Sequence, residues 1–109
     1  MLEVREYLDR RERSPFGIWF NQLDKTAAAK VTVGVTRVAL GNFSNVQSVG
    51  GGVSEYKIDF GPGFRFYFGR DGETVVILLG GGSKKRQSKD IENAILRWND
   101  YQERKFQEK

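Results

Sequence analysis

The sequence contains no cysteine and no histidine among its 109 residues, and it has only two prolines and one methionine. The absence of cysteine excludes disulfide scaffolds, zinc fingers, iron–sulfur sites and thiol nucleophiles. The absence of histidine excludes histidine-based triads, histidine-ligated metals and histidine acid–base catalysis. We therefore predict neither a metal nor a cofactor, and any catalysis must use Lys, Arg, Tyr, Asp or Glu.

Long apolar runs are also absent, because no window of 18 apolar residues occurs in the chain. Residues 1–13 mix four acids with four arginines and have no apolar signal-peptide core. The hydrophobic share of 39% and the aromatic share of 13% are sufficient for a compact core at this length. We predict a single domain over residues 1–109, located in the cytoplasm, with no membrane partner.

The net charge of +4 is concentrated in one stretch, since residues 61–89 hold six cations and two acids. Within it, the segment 83–89 has no acid and carries Lys84, Lys85, Arg86 and Lys89. Clustered cations of this kind are typical of a phosphate-binding edge, although a solvated basic patch is an open alternative.

The order of the segments predicts an α+β fold. An edge strand over residues 2–7 precedes a helix that begins after Ser14-Pro15 and ends near residue 23. Asp24 is placed to cap a second helix, which ends at Gly41. Glycine-rich breaks then divide the chain into an antiparallel meander with strands at 46–49, 53–60, 63–69 and 74–80. A terminal helix over residues 89–106 carries an apolar stripe.

The hairpin formed by the second and third meander strands places polar side chains together. Alternation places two sets of side chains on one face: Tyr56, Ile58 and Phe60 of the first strand, and Phe64, Phe66 and Phe68 of the second. The opposite face then carries Lys57, Asp59, Arg65 and Tyr67, which lie within about 5 to 8 Å across neighbouring strands. Two interpretations stay open: a solvated face with cross-strand ion pairs, or a ligand site beside the basic segment.

One pattern in the chain consists of the run Tyr56-Lys57-Ile58-Asp59-Phe60-Gly61-Pro62-Gly63-Phe64-Arg65-Phe66-Tyr67-Phe68, followed by residues 75–82, Lys84 and Asp90-Ile91. This pattern resembles the RelE/ParE superfamily of bacterial type II toxins. It is most similar to the HigB-like addiction module killer branch. The resemblance implies a microbial-ribonuclease-like (RelE-like) antiparallel sheet with two N-terminal helices packed on one face and a C-terminal helix. It also implies a toxin that cleaves mRNA, often on the ribosome, and that is inhibited by an antitoxin with a helix-turn-helix domain.

The resemblance also implies roles for individual residues. Lys57 and Arg65 match strand cations of the nucleases in this superfamily, and residues 84–86 match the basic cluster after their last strand. We assign catalysis to Lys57, Arg65, Tyr67 and Lys85, and RNA binding to Asp59, Lys84, Arg86 and Lys89. Arg65 would stabilise the phosphorane, Lys57 or Asp59 would act as the base, and Tyr67 would be an acid or a stacking platform.

Two alternatives to the nuclease stay open: a ParE-like toxin that acts on DNA gyrase without cleavage, and a non-catalytic RNA- or ribosome-binding module. For the antitoxin interface we consider four apolar or aromatic residues, although their type favours core packing over an interface: Ile18, Trp19, Phe20 and Phe106.

Overall fold

The computed structural model describes residues 1–107 and confirms the α+β class. Its strands are β1 (Glu3–Glu6), β2 (Val46–Gly50), β3 (Val53–Ile58), β4 (Phe64–Asp71) and β5 (Val75–Ser83). Its helices are α1 (Pro15–Asn21), α2 (Lys25–Ala39) and α3 (Gln87–Gln107), and a 3₁₀ turn at Lys84–Arg86 joins β5 to α3.

The five strands form one sheet in the order β1-β5-β4-β3-β2. Strands β2 to β5 are the antiparallel meander that the sequence predicts. β1, however, pairs in parallel with β5, so the sheet is mixed and the prediction of a wholly antiparallel sheet is wrong. The physical reason is that both N-terminal helices and three strands separate β1 from β5, so no hairpin fixes their relative direction.

Both N-terminal helices begin where the sequence predicts. The Ser14 hydroxyl accepts a hydrogen bond from the backbone N–H of Gly17 at 2.9 Å, and a Pro follows at the first helical position. The Asp24 carboxylate accepts one from the N–H of Ala27 at 2.8 Å. The two caps satisfy backbone donors that have no partner inside the helix.

Each face of the sheet is covered by helices. α1 and α2 pack on the face that carries Phe66, Phe68 and Val76, whereas α3 packs on the face that carries Tyr67 and Ile77. On the α3 face, a Cβ on Gly69 would lie 2.4 Å from the Trp98 ring, so only glycine lets the indole rest on β4. The face predicted to carry the polar patch is therefore covered by α3.

Within residues 1–107, no helix combines the length and the apolar character that a membrane crossing requires. The longest helix, α3, has 21 residues, but charged side chains occur along its whole length.

Candidate functional site

Lys57, Arg65 and Gly82 lie in register on three adjacent strands, β3, β4 and β5. Alternation places the side chains of Lys57 and Arg65 on the α3 face, and Tyr67 lies two residues further along β4 on that face. The predicted common face is thus confirmed for these three residues. Asp59 lies beyond Ile58, the last residue of β3, so the strand does not fix the direction of its exposed side chain.

The expected open patch is wrong for two of its members. Arg65 is 4% exposed and Tyr67 is 0% exposed, whereas Lys57 is exposed. The physical reason is that α3 covers this face, so the alternation that indicates a polar face does not by itself indicate contact with water. Tyr67 belongs to the core cluster formed with Ile77, Leu79 and Trp98.

Arg65 is held from two sides. Its Nη1 donates a hydrogen bond to the Gly63 carbonyl at 2.7 Å, and its Nε lies 3.7 Å from Oε2 of the fully buried Glu55. Glu55 also accepts hydrogen bonds from the side-chain amides of Gln47 at 3.1 Å and Gln87 at 2.8 Å. The carboxylate is thereby compensated inside the protein, as a buried charge requires.

Around the start of α3 lies a polar cluster, in which Glu55, Arg65 and Tyr67 are buried and Gln87 and Asp90 are half-buried. Within residues 1–107, Arg65 Nε, the Tyr67 hydroxyl and Asp90 Oδ2 are buried without a hydrogen-bond partner. Unsatisfied buried polar atoms cost free energy and are rare in native proteins, and an ordered water or a bound ligand would satisfy them.

Burial perturbs the pKa of two members of this cluster. Burial, and next the negative charge of Glu55, raise the pKa of Tyr67 well above its ordinary value of 10.0. Burial also raises the pKa of Asp90 above 3.8, although the nearby charges of Arg86 and Arg97 lower it. Tyr67 is therefore protonated and buried, and its assignment as an acid or as a stacking platform stays a prediction.

Exposed cations surround the cluster. Lys84, Lys85 and Arg86 of the 3₁₀ turn are exposed, and so is Lys57. A Cβ on Gly63 would lie 3.3 Å from Arg65 Nη1 and 3.5 Å from the Cβ of Lys84, so the Arg65 guanidinium and the base of the Lys84 side chain both border Gly63. We call Lys57, Lys84, Lys85 and Arg86 the cation rim. Lys89 is exposed one turn into α3, where it pairs with Glu92 at 3.8 Å.

Three members of the cluster were missed in the sequence. Glu55 shares its face of β3 with Lys57, so alternation carried the signal, but an acid opposite a tyrosine was not recognised as a partner for Arg65. Gln87 and Asp90 lie three residues apart at the start of α3, and only the packing of that helix brings them to the sheet. No spacing rule within the sequence predicts that contact.

The residues considered for an antitoxin interface divide into two kinds. Ile18 is 50% exposed and Phe106 is 79% exposed, so both are available to a partner. Trp19 and Phe20 are partly buried and pack against the core between the sheet and the two N-terminal helices. Within residues 1–107, no group of three or more acidic side chains is placed to hold a metal ion.

No protein-family model matches the chain. A protein of Haemophilus influenzae (strain ATCC 51907 / DSM 11121 / KW20 / Rd), described as an uncharacterized protein, is 40% identical over 82 residues, which are 74% of this chain and 83% of that protein. The identity extends over most of both sequences, and the chain belongs to the same family as this Haemophilus influenzae protein.

Proposed function

We propose that this protein is the toxin of a type II toxin–antitoxin pair, with a RelE-like fold of the HigB-like branch, and that it cleaves mRNA without a metal ion. The observation that carries the proposal is the position of Arg65, flanked by the exposed Lys57 across the sheet and by Lys84 beside Gly63. Three cations at this end of strands β3 and β4 would bind a phosphodiester, and the resemblance of residues 56–91 to this toxin superfamily supports the same function.

The reaction needs a base for the 2′-hydroxyl proton, cations for the phosphorane and an acid for the leaving 5′-oxygen. Lys57 is exposed and lies directly opposite Arg65, so both would contact one phosphate once Arg65 becomes accessible. Arginine binds phosphate oxygens with two parallel hydrogen bonds, and the loss of one such preorganised donor typically lowers the rate about 100- to 1000-fold. We assign the phosphorane to Arg65 and Lys57.

The proton transfers fall to exposed groups, because Tyr67 is buried. Asp59 follows β3 directly after Ile58 and is the candidate base. Lys85 of the cation rim is the candidate donor to the leaving oxygen. Lys84, Arg86 and Lys89 would bind neighbouring phosphates, which predicts an affinity that falls with salt.

Arg65 is only 4% exposed, so direct contact with a phosphate requires the start of α3, together with the 3₁₀ turn that leads into it, to move away from the sheet. The turn contains three consecutive cations and no acid, so a polyanion attracts the segment that must move.

The proposed partners are a cognate antitoxin with a helix-turn-helix domain and mRNA, either free or on the ribosome, in the cytoplasm. Ile18 and Phe106 are apolar and exposed, which suits them to the antitoxin interface.

The test is induction of the wild type, Lys57→Gln and the matched control Lys25→Gln in bacteria, with pulse labelling of protein and DNA synthesis. Lys25 is exposed at the start of α2, so its substitution removes the same charge away from the site. We expect protein synthesis to stop first with the wild type and with Lys25→Gln, and to continue with Lys57→Gln. Arrest by all three proteins contradicts a role for the site.

The burial of Arg65 and Tyr67 favours a second candidate, a toxin of the same superfamily that acts on DNA gyrase through protein contacts. For that protein Lys57→Gln retains its toxicity, and DNA synthesis stops before protein synthesis does.

A further inference from the structure

A cleft opens on the free edge of β5, beyond the end of β1. β1 pairs with β5 only as far as Leu78, so residues 79–83 have no neighbouring strand on that side. α1 borders this gap on one side and α3 on the other, and the cavity between them has a volume of about 640 Å³. Pockets of about 300 to 1,000 Å³ are typical of sites for small ligands.

The walls of the cleft combine an aromatic ring with guanidinium groups. Trp19 of α1 is partly exposed there, and Arg13, Arg86 and Arg97 converge on the cleft from three different segments. Two acids, Asp9 and Asp90, also line it. An aromatic face beside several arginines is the combination with which proteins bind single-stranded nucleic acids, since the ring stacks on a base and the arginines contact phosphates.

Glycine is required for the cleft to have this lining. A Cβ on Gly81 would lie 2.3 Å from the Trp19 ring, and a Cβ on Gly82 would lie 1.9 Å from Asp90 Oδ2. Any larger residue would displace the indole or the carboxylate. The two glycines therefore seat Trp19 and Asp90 against the strand, one on each side of the sheet.

Arginine side chains already bind one of the acids, Asp9, and one carbonyl on the free edge of β5. Arg13 Nε pairs with Asp9 at 3.1 Å, although the Arg13 side chain is still 56% exposed. Arg97 Nη1 donates to the Leu79 carbonyl at 3.0 Å, which fills the first acceptor on the free edge of β5. A peptide strand added to this edge would have to displace Arg97, so the occupied edge favours a nucleotide over a peptide.

The cleft adjoins the candidate site. Gly82, on its floor, is the register partner of Arg65, and adjacent strands lie about 4.8 Å apart. Arg86 belongs both to the cleft and to the cation rim. A nucleotide in the cleft would therefore be linked directly to a phosphate beside Arg65.

We propose that the cleft is a second nucleotide subsite, in which Trp19 stacks on one base of single-stranded RNA while Arg13 and Arg86 contact its phosphate. The proposal rests on the proposed function for the choice of RNA as ligand, but it requires no cleavage. The side-chain amides of Gln22 and Asn93 line the same cleft and are placed to contact the edge of the base.

The experiment measures the affinity of the full chain for a fluorescein-labelled single-stranded 2′-O-methyl RNA tetramer by anisotropy, across a range of salt concentrations. The tetramer has no 2′-hydroxyl nucleophile, so binding is measured without cleavage. The variants are Trp19→Leu, Trp19→Phe and Arg13→Gln, and the matched control is Arg11→Gln, an exposed arginine of the same loop that does not line the cleft.

We expect Trp19→Leu to weaken binding about 5- to 100-fold and Trp19→Phe to restore most of the affinity, because phenylalanine still stacks. Arg13→Gln should weaken binding and lower the slope of log K against log salt by about 0.7, since one phosphate contact is lost. Arg11→Gln should match the wild type.

Equal affinities of Arg13→Gln and Arg11→Gln overturn the proposal, and so does wild-type affinity of a folded Trp19→Leu. If Trp19→Leu does not fold, the two arginine variants decide. Cleft-dependent binding without cleavage in cells removes the nuclease function and leaves the subsite. Cleavage in cells, combined with RNA affinities that no substitution in the cleft changes, overturns the subsite and leaves the nuclease function.

Discussion

The side-chain amide of Gln87 donates a hydrogen bond to the Glu55 carboxylate at 2.8 Å and so joins the start of α3 to the buried strand β3. The same carboxylate lies 3.7 Å from Arg65. The position of α3, and of the 3₁₀ turn that leads into it, is therefore coupled to the charge balance around Arg65. Movement of the turn during catalysis would have to break or carry this bond.

Removing this bond should loosen the turn. Gln87→Ala leaves the buried Glu55 carboxylate with one donor fewer, which costs about 1 to 3 kcal/mol. We expect faster amide hydrogen exchange over residues 84–90 and little change in β2 and β5. The control is Gln102→Ala on the exposed side of α3. Equal exchange in both variants would show that the bond does not hold the turn.

The buried pair Glu55 and Arg65 should behave as a unit. Glu55→Gln leaves the buried charge of Arg65 without its ion-pair partner, and Arg65→Met does the same to Glu55. Each single change should therefore destabilise the fold by about 3 to 5 kcal/mol. The double variant should lose clearly less free energy of unfolding than the two single variants together, because it leaves no buried charge unpaired. Urea denaturation of the four proteins gives the coupling, and additive losses would contradict the pairing.

Much of this architecture could be predicted from the sequence, because local rules govern it. Ser14 and Asp24 cap helices as predicted, and the glycine breaks separate the strands of the meander. The parallel pairing of β1 could not be predicted, since it depends on a contact between segments about 70 residues apart. The burial of Tyr67 could not be predicted either, because alternation assigns a side chain to a face of the sheet but does not show that a helix covers that face.

Only part of the candidate site could be predicted from the sequence. Lys57 and Arg65 face each other as the alternation requires. Glu55 lies on the same face of β3 as Lys57, whereas Gln87 and Asp90 reach this site only through the packing of α3 on the sheet. The cleft at Trp19 depends on where β1 stops along β5, a length that no sequence pattern specifies.

Asp90 should reduce stability at neutral pH. Burial raises its pKa in the folded protein above the ordinary value of 3.8, so the cost of its ionisation is absent below pH 3.8 and fully present above the folded pKa. Asp90→Asn should therefore melt at a higher temperature than the wild type at pH 7 and at the same temperature near pH 3. Asp59→Asn, at an exposed position, serves as the control and should follow the wild type. A lower melting temperature for Asp90→Asn at pH 7 would contradict this account.

Asp71 should show the opposite pH dependence. Hydrogen bonds from Lys105 and from Tyr101, the latter at 2.6 Å, hold the pKa of Asp71 below 3.8. The resulting stability is complete above pH 3.8 and is lost as the pH falls through the lower, folded pKa. Asp71→Asn should cost about 1 to 2 kcal/mol at pH 7, and the difference from the wild type should narrow at lower pH. A difference that is constant with pH would exclude this linkage.

The central claim is that RNA is cut at the end of strands β3 and β4, where Lys57 flanks Arg65. Mapping of RNA 5′ ends in bacteria, shortly after induction of the wild type, Lys57→Gln and Lys25→Gln, tests it most directly. Lys57→Gln is more informative than Arg65→Ala, which would also leave the buried Glu55 unpaired. The account predicts new ends within translated mRNA for the wild type and for Lys25→Gln, and none for Lys57→Gln. Growth arrest without new ends, or the same new ends in all three strains, would contradict it.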